Sequence, residues 1–153
     1  MSRPPRSVLF VCSGNICRSP AAEAVLRAML PDSSFLIGSA AIGDWHVGSP
    51  AHPRSIAEGE RRGYVLDGRA RQVEPAGFAR FELIVGMDAG HVRDLRRLQP
   101  DGSAAEIGLF RNLDPAGARG LGLDDSYNLS PSEYAKMYDV IEPTCAALAR
   151  SLT

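Results

Sequence analysis

The stretch SVLFVCSGNICRSPAAEAVLRAML, residues 7–30, joins a short apolar run to a helical pattern through a small polar loop. Residues 7–12 are mostly β-branched, aromatic or aliphatic and end at Ser-Gly-Asn, a pattern typical of a buried strand. Residues 18–30 repeat apolar side chains at helical spacing, with Ser19 as the expected N-cap and Pro20 at the first helical position. The stretch therefore predicts a strand–loop–helix unit, from which parallel sheets are built.

Strand and helix patterns alternate along the rest of the chain. The Gly- and Pro-rich residues 43–53 are expected to form a loop. Predicted strands cover 34–40, 80–88 and 105–110, and predicted helices cover 54–63, with Gly63 as its C-terminal cap, 89–98, and 131–152, which Pro143 should kink or divide. The alternation predicts an α/β fold with a parallel sheet and helices on both faces. Ligands of such sheets bind beyond the carboxyl ends of the strands, so the loop at 12–19 is where a site is expected.

Length and composition exclude several classes of protein. The 153 residues are 44% hydrophobic and 23% charged, which fits a single domain over residues 1–153. A formal net charge of −1 predicts neither a nucleic-acid partner nor attraction to a membrane surface. The apolar run near the N-terminus is about six residues long, too short for a signal peptide. Three cysteines are too few for a secreted disulfide scaffold, so a cytoplasmic setting is expected.

Cys12 and Arg18 bracket five residues and Ser19 follows directly, giving the order Cys-x5-Arg-Ser. Successive backbone N–H groups in a tight loop that opens a helix form an anion-binding concavity, to which the helix N-terminus adds partial positive charge. Gly14 and Asn15 tolerate the left-handed backbone conformations that such a loop needs. Arg18 is predicted to grip two oxygens of a tetrahedral anion, because its planar guanidinium matches them in geometry.

These surroundings favour the thiolate form of Cys12, a nucleophile that can attack phosphorus and form a phosphocysteine. Ser19 is expected to donate a hydrogen bond to that thiolate. A lone cysteine at a strand end is usually a core residue, so the prediction for Cys12 depends on its neighbours in the loop. Cys17 is either a packing residue or a thiol that pairs reversibly with Cys12 under oxidation. Cys145, in an apolar helical context, is predicted to lie in the core.

The segment VLFVCSGNICRSPAAEAV resembles the signature of the low-molecular-weight protein tyrosine phosphatases, whose loop reads Cys-x-Gly-Asn-Ile-Cys-Arg-Ser-Pro. The likeness continues in order through SAAIGDWHVGSPAHPRSIA, RARQV, FARFELIVGMD and SYNLSPSEYAKMYDVIE, and so covers nearly the whole chain. It implies a four-stranded parallel sheet in a Rossmann-like, three-layer domain, no metal or other cofactor, and a two-step phosphocysteine mechanism. In this mechanism the phosphate cradle is completed by Ser13, Gly14, Asn15, Ile16, Cys17 and Ser19.

A general acid is needed to protonate the leaving phenolate, and the segment LDDSYN (123–128) offers two carboxylates. The family reads Asp-Pro-Tyr here, so the resemblance assigns the acid to Asp125 and the tyrosine to Tyr127. Asp124 is the alternative acid. Two adjacent carboxylates disfavour each other's ionisation, an effect that raises the pKa of one of them toward the range useful for a general acid. Ser126 replaces the family's proline, which predicts a less constrained loop.

The only tryptophan, Trp45, lies in the Gly- and Pro-rich loop. In related phosphatases an aromatic side chain here forms one wall of the cleft, and one beside the acid forms another. Trp45 and Tyr127 are thus expected to hold a phenyl ring between them, which favours phosphotyrosine over the shorter phosphoserine. Protein-arginine phosphatases of the same fold carry threonine where this chain has Ile16, so Ile16 also favours tyrosine.

The chain departs from the family at several positions near the loop. Gly68 stands where many relatives have a histidine bonded to the anion loop, and this predicts a less firmly held loop. Ser39 matches the family's loop-supporting serine. The remaining departures are Ile42 for threonine, His91 for asparagine and Asn128 for a second aromatic residue. The three histidines, His46, His52 and His91, form no metal motif and are predicted to lie on the surface without a catalytic role.

Three alternative functions share the same sequence features. A protein-arginine phosphatase differs only in substrate. A thiol-dependent arsenate reductase needs further cysteines on a segment after the third strand, and residues 82–125 contain none. A non-catalytic phosphotyrosine-binding module requires only the cradle without a working acid. Under the favoured function the partner is a tyrosine-phosphorylated protein, and the sequence leaves open whether the chain is a monomer or weakly self-associates.

Overall fold

Four parallel strands form one sheet at the centre of the protein. The computed structural model describes residues 3–31, 34–117 and 120–153. Its strands, in chain order, are β1 (Ser7–Cys12), β2 (Leu36–Ala41), β3 (Leu83–Gly86) and β4 (Glu106–Leu109). They lie in the spatial order β2-β1-β3-β4, and all three pairings are parallel. The predicted parallel α/β sheet is confirmed, although β3 is shorter than the stretch predicted for it.

Helices follow the strands and cover both faces of the sheet. They are α1 (Arg18–Met29), α2 (Pro53–Arg61), α3 (Gly77–Arg80), α4 (Ala89–Leu98) and α5 (Pro131–Leu152), with a 3-10 turn at Phe110–Leu113. The predicted bounds of α4 and α5 are confirmed, whereas the short α3 and the 3-10 turn were not predicted. Gly63 follows the end of α2 with a positive φ of 89°, the left-handed conformation expected of a C-terminal cap. Among the helices of the described residues, none is long and apolar enough to cross a membrane.

Side chains of β1 alternate between two hydrophobic clusters, one on each face of the sheet. Val8, Phe10 and Cys12 join the cluster formed with α1 and α5. Leu9 and Val11 join a smaller cluster, which contains Phe78 of α3 and Leu95 of α4. Because every residue of β1 is buried, this strand forms the centre of the three-layer packing.

One local prediction is wrong, and another is wrong in part. Helix α1 begins at Arg18, so Ser19 lies inside its first turn and is not the N-cap; its hydroxyl contacts Cys12 instead. Pro143 does not divide α5, which runs without interruption to Leu152, and a kink at Pro143 stays a prediction. The buried residues on both sides of Pro143, including Ile141 and Cys145, explain this continuity, since tertiary packing outweighs one missing backbone hydrogen bond.

The strand order places a topological switch point at the carboxyl end of β1. The chain crosses from β1 to β2 on one side and continues through β3 on the other. Strand β1 ends at Cys12. The loop that follows it therefore opens into a crevice, because the connections to β2 and to β3 leave this edge of the sheet in opposite directions. This is the position at which doubly wound sheets bind ligands.

Candidate active site

Two hydrogen-bond donors approach the sulfur of Cys12 at the base of the loop. The backbone N–H of Asn15 lies 3.3 Å from Sγ, and the Ser19 hydroxyl oxygen lies 2.9 Å from it. Cys12 is only 3% exposed. The Cys12 sulfur is therefore buried and faces two hydrogen-bond donors.

The amide of Asn15 determines the direction of the Ser19 proton. Asn15 has a positive φ of 59°, and its Oδ1 accepts the backbone N–H of Arg71 at 3.1 Å. Its Nδ2 therefore faces Ser19 and donates to the hydroxyl oxygen at 2.8 Å. Since Ser19 accepts from Asn15, its own proton is free to point at Cys12, as the sequence predicted. Of the two residues expected to adopt a left-handed backbone, Asn15 does so and Gly14 does not.

Arg18 is almost fully buried, and four oxygens surround its guanidinium group. Nη1 donates to Asp88 Oδ2 at 3.2 Å and to the carbonyl of Leu123 at 3.0 Å. Nη2 donates to Ser13 Oγ at 3.4 Å and lies 3.6 Å from Asp125 Oδ2. The guanidinium is thus held in one orientation before any anion arrives.

Asp88 stays ionised beside Arg18. Burial acts to raise its pKa, but the backbone hydrogen bond from His91 and the charge of Arg18 outweigh burial and hold the pKa below the ordinary 3.8. The Arg18 charge is therefore partly balanced by a carboxylate on the side of Nη1, away from Ser13 and Asp125.

A cavity of about 160 Å³ opens above this loop. It is lined by all three residues predicted to be catalytic and by most of those predicted to bind substrate. Its lining is Cys12, Ser13, Gly14, Ile16, Cys17, Arg18, Trp45, His46, Asp125 and Tyr127. Two predicted cradle residues, Asn15 and Ser19, are not part of this lining; they contact Cys12 and each other.

Asp125, and not Asp124, is the carboxylate that lines the cavity. Its Oδ1 accepts the backbone N–H of Tyr127 at 3.0 Å, and its side chain is half exposed. The next residue, Ser126, is buried and donates to the carbonyl of Glu133 in the first turn of α5. This bond ties the loop to the helix at the position where the family has proline.

Aromatic side chains form the outer walls. Trp45 is 70% exposed and its ring packs over Gly43, where any side chain would collide with it. Tyr127 faces the rings of His46 and His52 at centroid distances of 5.8 and 5.7 Å. His46 was missed by the sequence reasoning; no spacing rule marks it, and only the fold brings its ring onto Gly14.

The prediction that all three histidines lie on the surface is wrong for His91, which is 4% exposed. Its Nε2 lies 2.9 Å from Ser13 Oγ, inside the network around Arg18. Burial, followed by the charge of Arg18, lowers the pKa of His91 below 6.5. His52 is half buried and stacks on Tyr134.

Support of the loop differs from the expectation for Ser39. Its hydroxyl donates to Glu23 Oε1 at 2.5 Å, so it does not hold the loop. Gly68 faces open space, and the support comes instead from the Arg71 backbone, which holds Asn15. The sequence could not show this, because a backbone N–H donor carries no residue-type signal.

The three cysteines are all buried free thiols. Cys17 contacts the hydroxyl of Tyr134 at 3.3 Å, and burial raises its pKa to about 12, against the lowering effect of that hydrogen bond. Cys145 lies in the core beside the carbonyl of Ala22, as predicted. Pairing of Cys12 with Cys17 under oxidation stays a prediction. Within the described part of the chain, no cluster of His, Cys, Asp or Glu is arranged to hold a metal ion.

Known proteins of one family resemble this chain over nearly its whole length. The sequence profile described as "Low molecular weight phosphotyrosine protein phosphatase" matches residues 7–153. The chain is 44% identical over 147 residues to a low molecular weight protein-tyrosine-phosphatase of Streptomyces coelicolor, with 92% of this chain and 90% of that protein covered. A low molecular weight phosphotyrosine protein phosphatase of Sus scrofa is 37% identical over 148 residues, with coverage of 93% and 92%. A crystal structure of a protein tyrosine phosphatase from Entamoeba histolytica matches with a TM-score of 0.89 at 29% identity, covering 95% of this chain and 96% of that one.

Proposed function

The chain belongs to the low molecular weight phosphotyrosine protein phosphatase family, and we propose that it hydrolyses phosphotyrosine in proteins through a phosphocysteine on Cys12. Membership of this family makes the chain a phosphatase enzyme; the roles of individual residues are the content of the proposal. The observation that carries it is the position of the Cys12 sulfur, which meets two donors below a cavity shared with Arg18 and Asp125.

In the first step the Cys12 sulfur attacks phosphorus, and the bond from phosphorus to the phenolic oxygen breaks. The electron pair of that bond goes to the phenolic oxygen, which takes a proton from the Asp125 carboxyl group. Arg18 and the backbone N–H groups of the loop bind the phosphoryl oxygens and stabilise their charge in the transition state. The half-exposed position of Asp125 at the cavity wall supports this role, because the leaving oxygen is on the outer side of the phosphoryl group.

In the second step the Asp125 carboxylate removes a proton from a water molecule, whose oxygen attacks the phosphorus of phosphocysteine. The phosphorus–sulfur bond breaks, its electron pair returns to the Cys12 sulfur, and inorganic phosphate leaves. Ser19 assists this departure by donating a hydrogen bond to the sulfur. Because its oxygen accepts a hydrogen bond from Asn15, its own proton points at the sulfur.

The cavity walls support a phosphotyrosine substrate. Trp45 and Tyr127 present aromatic rings to the cavity, and Ile16 of the loop adds an apolar side chain to its lining. A phenyl ring gains apolar and aromatic contacts there, whereas the side chain of phosphoserine is too short to reach these walls. The proposed substrate is therefore a tyrosine-phosphorylated protein.

The test is steady-state hydrolysis of a phosphotyrosine peptide by the wild type, Asp125→Asn and Asp124→Asn. We expect Asp125→Asn to lose about 10²–10⁴-fold in kcat, the range for a general acid, and Asp124→Asn to stay within about threefold of the wild type. Asparagine is nearly isosteric with aspartate, so the contact with the Tyr127 backbone is kept and the proton alone is removed.

Each other outcome contradicts part of the proposal. A loss of kcat in Asp124→Asn alone would mean that Asp124 is the general acid. Faster turnover of a matched phosphoarginine peptide would mean that the substrate is phosphoarginine. Binding of inorganic phosphate without turnover of either peptide would make the protein a binding module.

A further inference from the structure

A buried histidine contacts the catalytic loop from the side of α4. His91 is the third residue of that helix, and its Nε2 lies 2.9 Å from the hydroxyl oxygen of Ser13. The two-step mechanism above uses the side chain of neither residue. His91 is buried and Ser13 partly buried next to the arginine proposed to bind phosphate, and a buried polar side chain is costly to leave without a complete set of hydrogen bonds.

The hydrogen bonds of His91 fix which ring nitrogen carries the proton. The backbone N–H of Asp88 donates to Nδ1 at 3.2 Å, so Nδ1 must offer its lone pair. The nearby Asp88 Oδ1 accepts the backbone N–H of His91 at 3.0 Å in the same capping box. Because the lowered pKa of His91 keeps the ring neutral at neutral pH, its single N–H is at Nε2 and donates to Ser13.

The Ser13 oxygen accepts a second hydrogen bond, from Nη2 of Arg18 at 3.4 Å. Guanidinium nitrogens can only donate, so both lone pairs of the Ser13 oxygen are occupied by N–H groups. The hydroxyl proton of Ser13 must point elsewhere. Ser13 lines the catalytic cavity together with Cys12 and Arg18, so this proton is available to a group bound there.

We propose that the Ser13 hydroxyl donates a hydrogen bond to an oxygen of the transferring phosphoryl group, and that His91 is the positioning residue that holds it in this direction. The inference rests on the proposed function, because it takes the cavity above Cys12 as the phosphoryl site. A hydrogen bond to a charged oxygen contributes more than a neutral one, and loss of this donor should weaken phosphate binding about tenfold.

Two substitutions of His91 separate positioning from simple helix capping. Glutamine can place an amide N–H where Nε2 stands and keep the contact with Ser13. Asparagine can place its amide oxygen where Nδ1 stands, which preserves the acceptor for the Asp88 backbone but does not reach Ser13. If His91 serves only to cap α4, asparagine is the better replacement; if it positions Ser13, glutamine is.

The experiment measures the Kd of inorganic phosphate by titration calorimetry, and kcat and KM for a phosphotyrosine peptide. We expect Ser13→Ala and His91→Asn each to raise the phosphate Kd about tenfold, and Ser13→Thr and His91→Gln to remain within about threefold of the wild type. The double variant Ser13→Ala/His91→Asn should bind phosphate no more weakly than Ser13→Ala, because both changes remove the same donor.

An unchanged phosphate Kd in Ser13→Ala overturns the inference, and so does equal loss in His91→Asn and His91→Gln. Thermal unfolding of each variant identifies any that fails to fold, and the comparison of the two His91 variants then decides the question without Ser13→Ala. Because phosphate binding is measured without turnover, failure of peptide hydrolysis by the wild type would contradict the proposed function separately.

Discussion

Ser19 and Ser39 are two hydroxyl groups near the same loop, and only that of Ser19 reaches the sulfur of Cys12. We predict that Ser19→Ala lowers kcat for a phosphotyrosine peptide about tenfold or more, since a hydrogen bond to a charged sulfur is lost. Ser39→Ala is the matched control; its hydroxyl contacts Glu23, and kcat should stay within about twofold. Steady-state kinetics on both variants measures this. Equal loss in both would mean that Ser39 supports the loop after all.

At the scale of single residues, the sequence predicted the members of the site better than their contacts. The positions of Cys12 and Arg18 follow from a loop motif whose geometry is local. The burial of His91 depends on how α4 meets the loop after β1, a contact between segments 78 residues apart in the chain. Residue type alone could not show that His91 is buried, because histidine is more often partly exposed than fully buried.

One arginine forms ion pairs with acidic side chains of both α2 and α5. Arg62, which follows α2, pairs with Glu58 at 2.6 Å, with Glu142 at 2.5 Å and with Asp139 at 3.0 Å. The Glu58 side chain is only 5% exposed. We predict that Arg62→Met lowers the free energy of unfolding by about 2 kcal/mol, because the mostly buried Glu58 carboxylate and two acidic residues on α5 each lose a charged partner.

Urea denaturation at neutral pH measures this change. Arg97→Met is the control: that arginine pairs with Asp94 on the exposed face of α4, and removal of such a pair should cost about 0–1 kcal/mol. A similar loss in both variants would show that Arg62 does not join α2 to α5.

At the scale of elements, the order and type of the main strands and helices follow from the sequence, but some boundaries do not. The apolar periodicity of 131–152 predicted α5 to the residue, because its buried stripe is long. Helix α1 begins at residue 18 as predicted, but Ser19 is not its N-cap, although it fits the usual pattern of one. The loop instead uses that hydroxyl for Cys12, and functional demand overrode local propensity.

For the whole molecule, we predict that stability decreases as the pH falls below about 6.5. Burial lowers the pKa of both His91 and His52 in the folded protein, and the charges of Arg18 and Arg54 respectively lower them further. The unfolded chain therefore binds more protons than the folded one in the window from 6.5 downward to the folded pKa values, so the free energy of unfolding rises with pH there.

Urea denaturation at about pH 7.5 and about pH 5.5 tests this linkage. The carboxylates of Asp88, Asp94 and Asp125 oppose the shift at His91 but do not reverse it. The variant His91→Gln cannot titrate, so its free energy of unfolding should change less between the two pH values than that of the wild type. An equal change in both proteins would mean that His91 is protonated alike in the folded and unfolded states.

Cys12 is proposed to carry the phosphoryl group during turnover. The direct measurement is rapid acid quenching of the enzyme with a phosphotyrosine peptide, followed by mass spectrometry of the intact chain and of the fragment containing residues 12–18. We predict one phosphoryl group on Cys12 of the wild type, the same label in Cys145→Ala, and neither label nor turnover in Cys12→Ser. Turnover with phosphate found on another residue, or label that persists in Cys12→Ser, would contradict the account.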